Sequence, residues 1–383
     1  MAHINAVHET DIVDAVRAAR EAATPLEIIG RGTKRGFGRP LAAMNVLDVS
    51  GVSGIVSYEA EELVLTARAA TPIAEIVAAL DERGQQLGFD PVAWGSLLGT
   101  PGEATLGGVV SADCCGSRKL RYGAVRDHVL GFRGVNGFGE AFRAGGKVVK
   151  NVTGFDIAKL VCGAMGTLCV LSEITVRVVP KPEKSITLAV DDIAPRDGFA
   201  LLRKIWSSPV EASGLAYVPD GARVLIRVDG APQSLEEKCA AVRAIASAHD
   251  LKEWDDGDAL FANLGSGAAF VQTAHDVWRV MLPPAAAADF AGNISSSLWW
   301  GDWAGGVLWI GLKKDDIAAA QNLRSLAAAS GGYAILLRAD AQMRARVGAF
   351  APEPPPRAAL TRSVTAAFDP LGMFNPGRMY EAV

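Results

Sequence analysis

An α+β fold with two main domains is the architecture that this sequence predicts, and three observations support it. At 383 residues the chain exceeds one typical hydrophobic core, so two domains are expected. Runs of strand and helix length occur without the regular alternation of a doubly wound parallel sheet. Pro180 and Pro182 interrupt the pattern, which changes beyond them. We therefore predict domains at 1–180 and 185–350 and a C-terminal segment at 351–383.

Composition and charge exclude several classes of protein. Half of the residues are hydrophobic and 21% are charged, which favours a globular fold. The formal net charge of −4 gives no electrostatic basis for binding nucleic acid. The five cysteines form no CxxC pair, so we expect no disulfide framework and no zinc or iron–sulfur site, and a cytoplasmic protein fits best. No apolar run of about 18 residues predicts a membrane span.

The first domain is predicted to begin with a helix and short strands. Thr10 is expected to cap a helix with Ile12, Val13 and Val16 on its apolar face. Thr71 is expected to cap a second helix that starts with Pro72. Apolar runs of strand length surround these helices, at 25–29, 46–49, 55–58 and 63–67.

The end of the first domain is predicted from turn and cap signals. Residues 143–151 suggest a hairpin that turns at 145–146. Thr153 and Asp156 have the spacing of a capping box, which predicts a helix that runs to about Cys162. Two strands are expected to complete the domain, at 168–171 and 173–179.

The second domain repeats the order strand–helix–strand–strand–helix–strand. Its first round has strands at 186–190, 215–218 and 223–228 and helices at 199–206 and 235–248. Its second round has strands at 277–282, across 298–310 and at 333–338, with a helix at 317–329. This order predicts one or two ferredoxin-like layers, each a sheet with helices on one face. The tryptophan-rich segment 298–309 is interpreted as packing between sheet and helices, with a docking surface as the alternative. An extended connector at 351–357 and a helix at 363–368 are expected to follow.

A glycine-rich loop with cationic side chains follows the strand at 25–29. We call residues 30–35 the cradle loop; they are Gly30, Arg31, Gly32, Thr33, Lys34 and Arg35. A strand that ends in such a loop suggests an anion cradle, with backbone N–H groups aimed at phosphate oxygens. A Rossmann fingerprint would need glycine at position 35, and no P-loop spacing follows. A basic surface loop is the alternative.

Glycine also recurs through residues 102–179, where one apolar segment gives way to the next. Such glycines suit a backbone that lies close to a flat or charged group, and they also suit ordinary turns. The spacing alone therefore leaves a ligand and a set of turns as alternatives.

Four motifs together resemble the vanillyl-alcohol-oxidase/PCMH-type family of FAD-linked oxidases, and within it the FAD-binding subunits of bacterial glycolate oxidases. They lie at 30–34, at 104–108 with 121–123 and 126–131, at 151–156 through 166–168, and at 369–378. The run Asp302-Trp303-Ala304-Gly305-Gly306 resembles those subunits more than the wider family.

The resemblance implies a PCMH-type FAD-binding domain of two subdomains, a ferredoxin-like α+β cap domain, and a C-terminal segment that returns to the FAD domain. It implies that the cradle loop holds the diphosphate of FAD. Further cofactor-binding positions implied by it are Thr105, Gly107, Gly108, Ser111, Cys115, Gly116, Tyr122, Gly123, Gly166, Val170 and Asn375. Some relatives attach FAD covalently through a His in the first loop. Lys34 and Arg35 stand there in this chain, so non-covalent FAD is expected.

The function implied by the resemblance is oxidation of glycolate to glyoxylate within a complex. The expected partners are a homologous FAD subunit and an iron–sulfur subunit, with attachment to the inner membrane, if any, through them. The His-x-Gly-Asp-Gly-Asn-like motif of single-chain relatives is absent, so we predict no metal and can name no catalytic base. His128 is a weak candidate base, and a structural role is favoured for it. Two alternatives stay open: a stand-alone FAD-dependent 2-hydroxy-acid or alcohol dehydrogenase, and a non-catalytic FAD-binding assembly subunit.

Overall fold

The computed structural model describes residues 2–42, 44–146 and 155–381. The chain divides into two compact units. Unit 1 comprises 1–114, 124–181 and 352–383, and unit 2 comprises 115–123 and 182–351. The motif residues 151–154, which include Asn151 and Thr153, lie outside the described residues, as does the second half of the predicted hairpin.

Residues 115–123 differ from the continuous first domain expected from the sequence, because their contacts lie within unit 2. The Ser117 hydroxyl donates a hydrogen bond to Asp302 Oδ2, and the Trp303 indole N–H donates to the Gly116 carbonyl at 3.0 Å. The short helix at 119–122 ends on Tyr122, whose hydroxyl lies 3.4 Å from Asp229 Oδ2.

The described residues of unit 1 form two sheets. Its strands are β1 (His3–Asn5), β2 (Leu26–Ile29), β3 (Asn45–Asp48), β4 (Ile55–Glu59), β5 (Val64–Arg68), β6 (Gln85–Leu87), β7 (Val129–Val135), β8 (Ala141–Gly145) and β9 (Val170–Pro180). The small sheet is parallel, in the order β1–β3–β2. The larger sheet is antiparallel, in the order β4–β5–β9–β7–β8, and β6 also pairs with β9.

The helices of unit 1 are mostly short. They are α1 (Glu9–Glu21), α2 (Ile73–Asp81), α3 (Leu106–Ala112), α5 (Val125–His128), α6 (Ile157–Leu160) and α13 (Pro355–Phe368), while α4 (Lys119–Tyr122) belongs to unit 2. Helix α1 buries Ile12 and Val16 against Leu26 and Leu47 of the small sheet, in a core that also contains Val170. This apolar face is what anchors α1 to the sheet.

Two predicted helix caps are wrong by one or two residues. Helix α1 begins at Glu9, before Thr10, and the carboxylate of Asp11 accepts hydrogen bonds from the N–H groups of Val7 and His8. Thr71 does not cap α2, because its hydroxyl bonds instead with the backbone of Gly54 and Arg68. At both places a polar side chain, that of Asp11 or of Thr71, forms hydrogen bonds with residues that precede the expected helix start.

β8 places Arg143 opposite Arg133 of β7, whereas the hairpin expected at 143–151 lies mostly outside the described residues and stays a prediction. Two other local predictions are also wrong. The two strands expected at 168–171 and 173–179 are one strand, β9, which the neighbours β5 and β7 hydrogen-bond along its length. Helix α13 starts at Pro355, not at 363, because prolines are tolerated in a first helical turn.

Unit 2 contains one eight-stranded antiparallel sheet. Its strands are β10 (Lys184–Val190), β11 (Gly214–Val218), β12 (Arg223–Gly230), β13 (Leu251–Glu253), β14 (Asp276–Met281), β15 (Trp299–Asp302), β16 (Val307–Leu312) and β17 (Tyr333–Arg338). The order is β13–β10–β12–β11–β15–β16–β14–β17. Each half has the strand order of a ferredoxin-like layer, and the halves join through the pair Tyr217–Gly301 of β11 and β15. The predicted ferredoxin-like cap is therefore confirmed.

Most of the helices cover one face of this sheet, whereas the helix Gly257–Ser266 packs on the other face, where Gly257 meets Thr187 and Phe261 meets Gly214. The described helices of unit 2 beyond α4 are α7 (Pro195–Trp206), α8 (Pro232–Ile245), α9 (Gly257–Ser266), α10 (Ala287–Ala291), α11 (Ile317–Ala329) and α12 (Ala341–Val347). Side chains such as Phe199, Leu235 and Leu323 pack with Leu308 and Ile310 of β16 in one core. Trp309 lies between those two strand residues and so points to the other face, where it stacks with Trp300 at 5.4 Å and with Phe270 at 6.5 Å between ring centroids.

Candidate functional site

A cleft that is open to solvent lies in unit 1. Four segments form it: the cradle loop after β2, the start of α3, the residues before β9 and the C-terminal segment. It brings together twelve of the residues singled out from the sequence: Gly30, Arg31, Gly32, Thr33, Lys34, Arg35, Thr105, Gly107, Gly108, Ser111, Gly166 and Asn375.

The other singled-out residues lie elsewhere. Cys115, Gly116, Tyr122 and Gly123 belong to unit 2. Val170 points its side chain into the core beneath α1, while its neighbours along the chain, Cys169 and Leu171, line the cleft. Alternation along a strand explains this arrangement, so Val170 has only its backbone to offer to a ligand.

Sequence reasoning missed several lining residues, most of them apolar. They are Ile28, Ile29, Val49, Ala69, Ala112, Met165, Cys169, Leu171 and Arg378. Arg378 was within a recognised motif but was not assigned to the site. The positive charge of Arg378 at the end of the C-terminal motif was the signal that could have assigned it to the site. Only the fold, however, brings this side chain to the cradle loop.

A buried carboxylate fixes the cradle loop. Glu27 of β2 accepts hydrogen bonds from Arg35 Nε at 2.9 Å and from Arg378 Nη2 at 3.2 Å. Arg378 Nη1 also donates to the carbonyls of Arg35 and Phe37 at 3.1 and 3.3 Å. Gly32 takes a φ of +70°, which suits glycine, and closes a turn in which Arg35 N–H donates to its carbonyl. The loop is thus held in shape by its own fold.

The side chain of Lys34 is left without a partner. Its Nζ is buried, and no group of residues 2–42, 44–146 or 155–381 hydrogen-bonds to it. A methyl group added at Gly108 would lie 3.9 Å from this Nζ, so the ammonium sits beside the first turn of α3. A buried cation without a counterion is costly, and its place beside helix N–H groups favours an anionic ligand.

The first turn of α3 is shaped to leave room. Thr105 caps the helix by accepting a hydrogen bond from Gly108 N–H at 3.2 Å. A Cβ at Gly107 would lie 2.8 Å from the carbonyl oxygen of Ala69, so this glycine is required for packing within the fold. A Cβ at Gly108 would meet only the Thr105 hydroxyl, at 3.1 Å, and the Lys34 amine. Gly108 is therefore the glycine whose missing side chain matters to the cleft.

Asn375 builds the wall of the cleft. Its backbone takes a φ of +44°, a conformation that Asn tolerates better than most residues. Its side-chain oxygen accepts from Ile28 N–H at 2.9 Å, and its Nδ2 donates to the Met165 carbonyl at 2.9 Å. A Cβ at Gly166 would lie 2.8 Å from that Nδ2. Asn375 therefore ties β2, the turn before β9 and the C-terminal segment together.

Arg31 stands at the mouth of the cleft in an ion pair with Glu103. Both side chains are substantially exposed, at 37% and 57%. Solvent screening makes such pairs worth little, so Arg31 is available to exchange Glu103 for another anion.

The described lining lacks the side chains that most often act as general acid or base. None of the described residues that line the cleft is His, Asp, Glu or Tyr. Burial raises the pKa of the Cys169 thiol to about 12, so this cysteine stays protonated and unreactive. His128 lies outside the lining: it is 1% exposed, and a Cβ at Gly88 would overlap its ring. In the part of the chain that the structure describes, no three His, Cys, Asp or Glu residues could hold a metal.

Comparison with known proteins gives one family match and several relatives. The model of an FAD binding domain matches residues 2–145. The glycolate oxidase subunit GlcE of Escherichia coli K12 is 33% identical over 370 residues, covering 96% of each chain. The glycolate oxidase subunit GlcD of Bacillus subtilis is 28% identical over 249 residues, covering 60% of this chain and 52% of that protein.

Solved structures share the fold at low sequence identity. p-Cresol methylhydroxylase with substrate bound gives a TM-score of 0.75 at 14% identity, covering 99% of this chain and 88% of that one. The 4-ethylphenol oxidase of Gulosibacter chungangensis gives 0.73 at 14% identity, covering 99% and 89%. These likenesses confirm the predicted PCMH-type fold. Among the described helices, none has the length and apolar character needed to cross a bilayer.

Proposed function

Because this chain belongs to the family of FAD-linked oxidoreductases that includes glycolate oxidase subunit GlcE, we propose that it is an FAD-binding subunit of a glycolate-oxidising complex. The chain is an FAD-binding flavoprotein of the oxidoreductase class. Its position in a complex, its substrate and the residues that hold FAD are the proposal.

The observation that carries the proposed site is the unpartnered ammonium of Lys34. The FAD diphosphate is an anion of the kind that this ammonium, the cradle-loop N–H groups and the first turn of α3 would bind. Thr105 and Gly108 would keep that turn open to the ligand. When bound, FAD supplies the two-electron redox chemistry that the protein side chains lack.

The cleft favours non-covalent FAD. A covalent link to a flavin needs a nucleophilic side chain, and the described lining contains no His or Tyr. Its one thiol, Cys169, has a pKa raised to about 12 by burial. We therefore expect the flavin to be released intact when the protein is unfolded.

The same chemistry supports a division of labour between subunits. Oxidising glycolate requires a base for the hydroxyl proton and cations for the carboxylate. The cleft offers cations but no base among its described residues. We propose that a homologous FAD subunit oxidises glycolate, and that this chain relays electrons towards an iron–sulfur subunit or serves in assembly. The similarity of this chain to both GlcE and GlcD supports a pair of related subunits.

One experiment tests both parts of the proposal. The purified chain is examined by visible spectroscopy, before and after anaerobic addition of glycolate, alone and with its two co-expressed partners. We expect bound, extractable flavin in the chain alone, and bleaching by glycolate only in the complex. Folded protein that neither contains nor takes up flavin would contradict the proposed FAD site. Bleaching of the isolated chain by glycolate would instead support a stand-alone dehydrogenase.

A further inference from the structure

We propose that unit 2 carries a binding site for a small oxyanion of the phosphate class, separate from the cleft of unit 1 and independent of the proposed function. The site is a shallow pocket formed by three loops at one end of the sheet. Its polar side chains are those of His275, Ser295, Ser296, Ser297, Lys313 and Lys314. Two lysines, three hydroxyls and an imidazole in one pocket are a donor set suited to an oxyanion.

Hydrogen bonds hold the three loops in place. The Ser296 hydroxyl donates to the Gly311 carbonyl at 2.6 Å and accepts from Leu298 N–H at 3.2 Å. These bonds fix the loop of residues 295–297 to the end of β16. Arg338 Nη2 donates to the His275 carbonyl at 2.7 Å and to the Thr273 carbonyl at 2.9 Å. The pocket is therefore a built feature, and Ser296 serves its frame.

Four of the remaining donors, on His275, Ser295, Ser297 and Lys313, have no partner among the described residues. His275 Nδ1 is buried, and no described group forms a hydrogen bond with it. Over the described ranges, Lys313 forms no ion pair, and the hydroxyls of Ser295 and Ser297 form no hydrogen bond. A buried polar atom without a partner calls for a ligand or water, and these groups surround the same space.

Three nearby carboxylates keep their charge but accept hydrogen bonds from backbone N–H groups. Asp276 accepts from Asp315 N–H at 2.9 Å, Asp316 caps α11, and Asp340 caps α12. Lys314 lies 3.7 Å from Asp340, at an exposed position where such a pair is weak. The pocket offers more donors than the two oxygens of a carboxylate would use. A phosphate group, with more charge and three or more acceptor oxygens, fits this set better.

Calorimetric titration of the full chain with inorganic phosphate, at constant ionic strength set by chloride, tests the site. We compare wild type with Lys313→Ala and with Lys204→Ala, which removes an exposed lysine of α7 in the same unit. Loss of one charge-assisted contact should weaken phosphate binding about tenfold in Lys313→Ala and leave Lys204→Ala unchanged. Both positions are exposed, so neither variant should affect folding.

A Lys34→Met variant separates this pocket from the cradle loop, which could also bind phosphate. Phosphate binding that is unchanged in Lys34→Met and about tenfold weaker in Lys313→Ala supports the proposal. Binding lost in Lys34→Met and kept in Lys313→Ala assigns phosphate to the cleft and overturns it. Non-saturable heat, or equal binding of acetate, would also overturn a phosphate-class site. The imidazole NMR signal of His275, assigned with His275→Gln, should shift with phosphate at the same concentrations.

Discussion

Two glycine-containing turns, one in each unit, bury a charged side chain, but only one of these side chains has hydrogen-bond partners among the described residues. In the cradle loop of unit 1, the Lys34 ammonium is buried and no described residue pairs with it. In unit 2, residues 302–306, here called the tryptophan corner, bury Asp302 to 1% exposure. That carboxylate accepts hydrogen bonds from the Ser117 hydroxyl and, at 2.7 Å, from Trp303 N–H. The satisfied charge is explained by the fold, whereas the unsatisfied one requires a ligand.

Backbone strain marks the tryptophan corner as a structural device. Trp303 and Ala304 have φ angles of +54° and +55°, which are uncommon for residues other than glycine. The strained turn aims the Trp303 indole at the Gly116 carbonyl, and Lys119 Nζ lies 4.1 Å from the centre of its ring. The corner thereby holds the excursion 115–123 within unit 2. This role accounts for a motif that the sequence singled out without explaining.

Replacing Lys34 by Met should give the largest effect, because it removes a buried charge that no described residue pairs with in the cleft. Losing a charge-assisted contact of about 3 kcal/mol should weaken FAD binding about 100-fold. Flavin fluorescence during titration of the apoprotein measures the change. Lys181→Met, which removes an exposed lysine paired with Asp81, is the matched control. Equal FAD affinities in the two variants would contradict a role for the Lys34 ammonium in binding FAD.

Asp302→Asn should change how stability depends on pH. Burial raises the pKa of Asp302 to about 6, although the hydrogen bonds from Ser117 and Trp303 oppose the shift. The folded state therefore keeps its proton up to about pH 6, while the unfolded state loses it near 3.8, the ordinary pKa of an aspartate. The free energy of unfolding should fall by about 3 kcal/mol as pH rises through this window, and the Asn variant should lack that contribution. Melting temperatures from pH 4 to 7 measure the difference, and parallel curves for the two proteins would contradict it.

Gly107→Ala and Gly108→Ala should separate folding from binding within the same turn. The Gly107 variant places its Cβ against the Ala69 carbonyl and should lower the free energy of unfolding by about 1–3 kcal/mol. The Gly108 variant has more room and gains helix propensity, so it should fold and yet lose FAD. Thermal melting and flavin content are measured on both. Full flavin content in a stable Gly108→Ala protein would place the ligand away from α3.

Thr105→Ala should have the smallest effect. It removes the cap of α3, whose Oγ1 accepts from Gly108 N–H, and should cost about 1 kcal/mol of stability. Thr105→Ser keeps the hydroxyl and serves as the control. Because the freed Gly108 N–H can turn to the ligand, FAD affinity should change less than in Lys34→Met. A larger loss of affinity than in Lys34→Met would make the hydroxyl, not the ammonium, the principal contact.

Local patterns were reliable where a segment's own side chains decide its structure. The helices predicted at 199–206, 235–248 and 317–329 and the predicted strands of unit 2 lie close to their expected bounds, since each buries an apolar face of regular period against one sheet, whereas β13, α9, α10 and α12 were not predicted. The prediction of two strands at 168–171 and 173–179 failed because β9 is held by neighbours far along the chain, at β5 and β7. Thr71 failed as a cap for the same reason: Gly54, seventeen residues away, offers it a better set of partners.

By itself, the sequence determined the α+β class, the ferredoxin-like cap, the family and FAD as the cofactor, because motifs and periodicity are written in neighbouring residues. Only the tertiary structure decided which charges stay unpaired. It leaves the Lys34 ammonium without a hydrogen-bond partner among the described residues, and it pairs both Arg35 and Arg378 with Glu27. Arg378 and Glu27 are about 350 positions apart in the chain. Whether a polar group has a hydrogen-bond partner depends on contacts that only the folded chain makes. A lysine at position 34 of the sequence could therefore suggest a binding site, but the sequence could not show that the lysine lacks a partner.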